Sequence, residues 1–465
     1  MRKNTGAARV SPVMRKLSSY IAGALRRPLP ASVAECARHH VLDTLAAMVS
    51  GTALPPGRRA IRYVRSLGGA PEATVVGTRY RTNAINAALA NGMTAHADET
   101  DDSHSPSLTH PGCGIVSAAL ATAERERRSG TALLRAITLG YDVGTRLSLS
   151  LGAVRFGGLG HLTHCFGNTF GAAAASAALL RLNANQVRHV LTYAAQQASG
   201  VSSYGRDLEH VEKAFDFGGM PARNGVTAAT LVASGCTASD DVFSGDRNFF
   251  LAYDESRRIG RRPDPVCLVR DLGKRWEIVR TNIKRWSVGS PIQAALDCLL
   301  EIIRAHKIGP KHVDEVVVRV YSSGARIADD RDMPDVNMQH MCALMLVDGF
   351  VTFGAAHDLR RMSDPRVVDL RRRIRLIVDP ALEKLRPEKH AIVEVALKNG
   401  RRLRHRAHAV RGTAQNPMTR AEVAEKCTDL IAPVLGARRA RRLCGAVWNL
   451  GRLSDVRALR PLLSK

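Results

Sequence analysis

The stretch Phe170-Gly171-Ala172-Ala173-Ala174-Ala175-Ser176-Ala177-Ala178-Leu179-Leu180 sets the fold class. It is the longest small-apolar run in the chain, and it falls short of the ~18 residues that a membrane helix needs. Its alanines and single glycine let neighbouring backbones approach, so it reads as a closely packed core helix. The flanking sequence repeats a helical period. Ser32 to Val49 places Val33, Ala37, Val41, Leu45 and Val49 on one stripe, with Gly51 expected as its C-cap. Asn83 to Ala97, Gly114 to Arg128, Ala132 to Leu149 and Asn185 to Ala198 carry the same pattern, and only Ala73 to Gly77 reads as extended. Residues 1–266 are therefore expected to begin a large all-helical domain.

Composition changes after Gly260, where Arg261-Arg262-Pro263-Asp264-Pro265 reads as a linker. Val313 to Tyr321, Arg373 to Val378 and Ile392 to Lys398 are rich in β-branched residues and read as strands. Segments 392–398 and 401–408, joined through Asn399-Gly400, carry the strongest hairpin signal. Helices are expected at Pro291 to Ala305 and Asn337 to Leu346, giving a smaller α+β domain over 267–409. Helical patterning returns over 410–465, which is expected to pack back on the first domain. The fold class is mainly α, with an α+β lid.

The chain has 465 residues, and 68 Lys+Arg against 42 Asp+Glu give a formal charge of +26. Basic runs at Arg371 to Arg375, Arg401 to Arg411 and Arg438 to Arg442 invite a nucleic-acid reading. Aromatics are only 5%, however, and these runs lack interleaved stacking residues. Nucleic acid is not the expected partner. A field that gathers small polyanionic substrates uses the same charge better. Nine cysteines are scattered singly with no CxxC, which argues against zinc, an iron–sulfur cluster or a disulfide framework and suits a reducing cytoplasm. Arg2, Lys3 and Arg9 are followed by no apolar core or cleavage site, so no secretory signal is read.

The densest polar cluster is His96-Ala97-Asp98-Glu99-Thr100-Asp101-Asp102-Ser103-His104, with His110-Pro111-Gly112 after it. Groups of this kind are costly to bury unpaired, so they must face water, pair, or build a site. No HxxxH or HExxH spacing accompanies them, and no metal is expected. A second cluster, Phe156-Gly157-Gly158-Leu159-Gly160-His161-Leu162-Thr163-His164, offers glycines and two imidazoles before a helix. Lys213 stands before Gly218-Gly219, and Lys284 lies beside Trp286 just past the linker. With no GxSxG, Walker A or cysteine-nucleophile signature, what remains is an acid/base and cation-clamp inventory. That inventory suits proton removal next to a carboxylate.

His96 to Ser103 with His110-Pro111, His161-x-Thr163 leading into Phe170-Gly171, Lys213 with Gly218, Asn224-Gly225 and Lys284-x-Trp286 together resemble the MmgE/PrpD family over about Ser18 to Leu450. Its members include 2-methylcitrate dehydratases, cis-aconitate decarboxylases and iminodisuccinate epimerases. The resemblance implies a helical domain with a smaller lid, a homodimer, a site in the cleft between domains, and no cofactor or metal. It also implies that His110, His161, Glu99, Lys213 and Lys284 are the catalytic set, with Glu99 and Ser103 standing where the family carries Asp and Thr. His164 competes with His161 because one residue is inserted before Phe170. Asp102, Ser103, Arg223, His340 and His164 are expected to bind or orient substrate. Lys213-Ala214-Phe215-Asp216 replaces the family's Lys-x-Leu-His, and His340 replaces a site Tyr of the decarboxylases, which ranks decarboxylation behind dehydration.

The expected function is thus a cofactor-independent carbon–oxygen lyase acting on a small di- or tricarboxylate, most concretely a dehydratase of a 2-methylcitrate-like hydroxy acid. The alternatives are an epimerase, isomerase or decarboxylase using the same site, or a basic nucleic-acid-associated protein whose DNA binding would weaken steeply with salt.

Overall fold

A computed structural model of the chain describes residues 10–386 and 388–465. The reading of Arg2, Lys3 and Arg9 therefore falls outside the described residues. The structure is mainly helical and divides into two compact units. The first holds the described residues up to Ala97, then Asp102–Thr281 and Ile431–Lys465; the second holds Asp98–Asp101 and Asn282–Leu430.

The helical unit runs through α1 (Pro12–Gly23), α2 (Ala31–Gly51), α3 (Pro55–Leu67), α4 (Ala84–Ala95), α5 (Pro111–Arg125), α6 (Gly130–Ser150), α7 (Ala153–Gly158), α8 (Thr163–Leu179), α9 (Ala184–Gln197), α10 (Val211–Ala214) and α11 (Met220–Ala233). A two-residue ribbon, β1 (Ala73–Thr74) with β2 (Arg81–Thr82), interrupts them. The Ala-rich run lies in α8, which is buried along its whole length and touches α5, α6, α9 and α11. Its close packing has a specific cause. A methyl group on Gly171 would sit 2.6 Å from the Gly140 carbonyl oxygen, and one on Gly144 would sit 2.5 Å from that of Gly167. Only hydrogen fits where α6 crosses α8.

Gly51 has a different role from the expected C-cap. It is the last residue of α2, Thr52 follows as the cap, and an added Cβ would collide with the Thr94 carbonyl of α4. The residue is small because two helices meet there, not because the chain needs a left-handed turn.

The second unit is built on a four-stranded sheet in the order β4-β3-β5-β6, with β3 (Val313–Val320), β4 (Ile374–Val378), β5 (Ala391–Leu397) and β6 (Arg402–Ala407). β3 and β4 run parallel and the other pairs antiparallel. Gly400, at φ 84°, supplies the left-handed residue of the β5–β6 hairpin. Val316, Val318, Val320, Val393 and Val395 join the buried faces of helices Gln293–His306 and Met338–Asp348 in one core.

The boundaries differ from those expected at residues 266 and 409. Leu268 and Val269 pack into the core of the helical unit, and the Glu277 backbone N–H donates to Asp142 there (2.7 Å). Beyond the short excursion at Asp98–Asp101, the chain therefore leaves the helical unit between Thr281 and Asn282. Residues 410–430 stay with the sheet unit, where the Arg411 N–H donates to Asp297 and the Phe353 N–H to Asp429. Among the described residues no helix is long and apolar enough to cross a membrane.

Candidate active site

Within the helical unit, four chain segments far apart in sequence bring imidazoles to one place. His96 is the C-cap of α4, His110 the N-cap of α5, His164 lies in the first turn of α8, and His210 precedes α10 in a left-handed conformation (φ 61°). Phe217 is the common neighbour of His96, His110 and His164. Its ring stacks on His164 (centroids 3.6 Å apart, 22°) and on His96 (4.5 Å, 13°), and His110 meets it edge-on at 5.6 Å. His96 lies 5.0 Å from His110 and 5.2 Å from His210, centroid to centroid. All four histidines are buried.

The local backbone explains how Phe217 gets there. Residues Phe215–Gly219 form a single π-turn between α10 and α11, a wide turn that often marks functional sites. Gly92 of α4 and Gly218 face one another so closely that a Cβ on either would collide with the other's carbonyl. Asn168, buried on α8, fastens the same point. Its Nδ2 donates to the carbonyls of His110 and Phe217, each at 2.8 Å. Lys213 sits on the rim of this cluster, half-buried, with Nζ 5.2 Å from the Phe217 ring centroid and 5.6 Å from that of Tyr204.

The protonation state of one imidazole follows from its contacts. The His110 backbone N–H donates to Nδ1 of His164 (3.1 Å). A nitrogen that accepts cannot carry the proton, so neutral His164 holds its hydrogen on Nε2 and presents a donor. Two residues of the same unit hold the start of α5 in register. Asp102, fully buried, accepts from the Gly112 N–H (2.9 Å), the Tyr141 hydroxyl (2.6 Å) and His40 Nδ1 (2.7 Å). Burial opposes charge on His40, but Cys36 and Asp102 outweigh it and hold its pKa well above the ordinary imidazole value. Asp102 therefore anchors the turn that carries His110.

Asp216, at the departure from the family pattern, has its carboxyl pKa raised to about 7 by partial burial and by the charges of Glu212 and Asp207. That value lies in the working range of a general acid or base. Arg223 lies at the start of α11, where its guanidinium donates to its neighbour Asn224 (3.0 Å). Ser103 is half-buried beside the His104–Thr109 bridge. His104 itself is buried next to Glu277 (3.3 Å), and burial pushes its pKa down against the pull of Glu277. Burial also works against charge on Glu277, yet His104 and Arg275 (2.5 Å) lower its pKa to about 2, and Arg280 stands 3.0 Å away.

His161 does not join the cluster. Its ring stacks on Phe156 (4.0 Å, 7°), and Nε2 pairs with Glu255 at 3.1 Å, with about a quarter of each side chain exposed. The helix begins at Thr163, so His164 is carried on α8 while His161 stays in the preceding loop.

Glu99, Lys284 and His340 belong to the second unit. There Lys284 Nζ donates to the Glu99 carbonyl (2.5 Å) and stands 3.5 Å from the Glu99 carboxylate and 3.7 Å from that of Asp101. Asp98 pairs with His357 (2.9 Å), and Lys426 donates to the Thr100 carbonyl (3.0 Å). The acidic segment is thus buried and matched to cations. His340, fully buried on helix Met338–Asp348, has neither ring nitrogen hydrogen-bonded, and burial with Arg371 and Arg361 nearby lowers its pKa to about 4.

Sequence reading missed His40, Asn168 and the role of Phe217. The available signal was energetic: an imidazole on the buried face of α2 and a lone amide in the Ala/Gly-rich α8 must find partners when buried.

The MmgE/PrpD N-terminal domain model matches residues 15–261 and the MmgE/PrpD C-terminal domain model matches residues 286–450. A cis-aconitate decarboxylase-like protein of Aspergillus oryzae is 24% identical over 477 residues, covering 97% of this chain and 97% of its own. A cis-aconitate decarboxylase of Aspergillus terreus is 22% identical over 465 residues, covering 94% of this chain and 92% of its own. Motifs, fold class and both domain matches agree over nearly the whole sequence, and the chain belongs to the MmgE/PrpD family.

Proposed function

We propose that this protein is a lyase that moves a proton next to a carboxylate of a small di- or tricarboxylate, with dehydration of a 2-methylcitrate-like hydroxy acid as the leading reaction. The observation that carries this reading is the meeting of His110, His164 and His96 around Phe217, with His210 against His96 and Lys213 at the rim. Dehydration needs two proton transfers, one from carbon and one to the departing hydroxyl. His110 and His164, with ring centroids 5.2 Å apart, are a pair of the right reach. His110 takes the carbon-bound proton. His164 Nε2–H faces the role of donor to the leaving oxygen, which departs as water while the C–O bond breaks and the alkene forms.

The carbon acid is weak because its conjugate base puts a second negative charge on the carboxylate. Lys213 meets that charge. An ammonium placed over aromatic faces is partly desolvated, so its attraction for a developing anion exceeds what it would be in water. Asp216, with a pKa near 7, is a further proton-handling group on the same turn.

A second reading, decarboxylation of cis-aconitate, is favoured by the names of the two Aspergillus relatives. It needs only one proton delivered to carbon as CO2 leaves. Purified protein offered citrate, 2-methylcitrate and cis-aconitate separately distinguishes the two. Alkene formed from a hydroxy acid without gas supports dehydration; CO2 from cis-aconitate supports the second reading. Folded protein inert towards all three removes the substrate class.

A further inference from the structure

The helical unit contains a cavity of about 700 Å³ that none of the histidines lines. Three arginines face it, Arg26 after α1, Arg135 on α6 and Arg181 after α8, together with Ser129, Thr131 and Asn183. Among the described residues no carboxylate is in its wall. Arg135 Nη1 donates to the Leu25 carbonyl (2.5 Å), which orients the guanidinium without neutralising it.

Two longer helices add to the same positive field. Ser129 is the N-cap of α6, with 21 residues, and Asn183 is the N-cap of α9, with 14 residues and a full capping box. Their first turns bring partial positive charge to the wall. Arg181 holds a left-handed φ of 57° and raises the local potential further: burial, then the charge of Arg181, lowers the pKa of the neighbouring Arg128. The rest of the wall is Ser19 with alanines and leucines, so the cavity offers apolar as well as cationic surface. A single phosphate would leave most of this volume empty, while the volume is typical of sites for whole cofactor-sized molecules.

We propose that this cavity binds an oligophosphate, an anion of at least two linked phosphates, whether free or carried by a nucleoside. The phosphates would lie against Arg26, Arg135 and Arg181, where guanidinium forks match phosphate oxygens, and a nucleoside would lie against the apolar wall. Calorimetric titration of the full chain at fixed 0.15 M salt (roughly physiological) with ATP, inorganic tripolyphosphate and adenosine tests it. Saturable binding of ATP and tripolyphosphate, without binding of adenosine, is expected. ATP tighter than tripolyphosphate would identify the nucleotide as the source, and equal affinities the phosphate chain alone.

The double variant Arg26→Gln/Arg181→Gln changes two exposed side chains and keeps Arg135 with its Leu25 contact. It should weaken both phosphate ligands by at least about tenfold with unchanged thermal unfolding. A control, Arg438→Gln/Arg442→Gln on the exposed face of helix Ala437–Trp448, lowers net charge equally and should leave affinity within about twofold. Absence of saturable binding overturns the proposal. So does a cavity variant that binds like the parent, or a control that weakens binding as much as the cavity variant does.

Discussion

Two buried polar clusters in this chain are assembled on opposite principles. In the helical unit, His96, His110 and His164 meet one another and the faces of Phe217, and Lys213 approaches the same ring. In the sheet unit, Asp98, Glu99 and Asp101 are each met by a cation, His357 or Lys284, at 2.9–3.7 Å. Matched charges lock each other in one state, because removing either partner leaves an uncompensated charge in a poor solvent. The imidazoles are instead brought together by ring contacts and by main-chain hydrogen bonds around the start of α5. On the proposed function, the first arrangement carries the proton transfers, while the salt-bridged segment of the second also carries stability. Substitutions should therefore take activity from one cluster and stability from the other.

The largest effect is expected at His110. His110→Asn keeps the backbone N–H that donates to His164 and the carbonyl that accepts from Asn168, so the turn should survive. Turnover should fall by about 10²–10⁴-fold, the usual worth of a positioned acid/base group. His164→Asn should cost a similar factor, and the double variant little more than either alone, since the pair acts as a unit. Progress curves with the active substrate beside thermal unfolding scans check this. Near-normal turnover in His110→Asn would remove the histidine cluster from the chemistry.

Lys284→Met probes the other cluster. It leaves Glu99 and Asp101 buried without their ammonium partner, and breaking a buried pair in this way costs about 3–5 kcal/mol. A drop of that size in denaturant stability is expected. A variant as stable as the parent would show that Lys284 is free for substrate, as the sequence expectation has it.

The contrast also explains what the sequence made legible. Helices and the Asn399-Gly400 hairpin follow from local rules, period and turn chemistry, and the structure has them within a few residues. The α8 run was readable because its alanines and glycines report close approach directly. Gly51 was misassigned because the same residue type serves a left-handed cap and a helix contact, and only the position of Thr94 decides between them. The His161/His164 ambiguity has a similar origin. One inserted residue shifts the register, and the start of α8 at Thr163 settles which imidazole is carried by the helix. Asp102 could be seen as polar and important, but its partners His40 and Tyr141 lie 62 and 39 residues away. Nothing local announces them.

The Asp98–His357 pair gives the comparison a pH signature. Burial would lower the His357 pKa, but hydrogen bonding and charge from Asp98, with Asp335, raise it to about 9. The unfolded chain has an ordinary imidazole near 6.5. The folded state therefore binds the extra proton more tightly, and this stabilisation is complete below about pH 6.5 and fades as pH rises through about 9. It amounts to on the order of 3 kcal/mol. Stability should fall between pH 7 and 10 in the parent, and fall less in His357→Gln. Parallel pH profiles of the two would refute the assignment. On the acid side, Asp98 has its pKa lowered by the same pair despite burial, so its contribution is lost as pH drops through that lowered value.

The smallest effect is expected at His161, which separates resemblance from geometry most cleanly. Motif matching ranks it with His110, yet the folded chain stacks it on Phe156 and pairs it with Glu255, partly in solvent. Exposed pairs of this kind contribute little, because water already solvates both partners and screens their attraction. His161→Gln preserves a donor for Glu255 and should leave kcat/KM within about threefold of the parent, in line with ordinary surface substitutions. His164→Gln, three residues along, should instead lose turnover on the scale of His110. If the two variants exchanged these behaviours, the proton chemistry would belong at the Phe156 face, and the stacking around Phe217 would be packing alone.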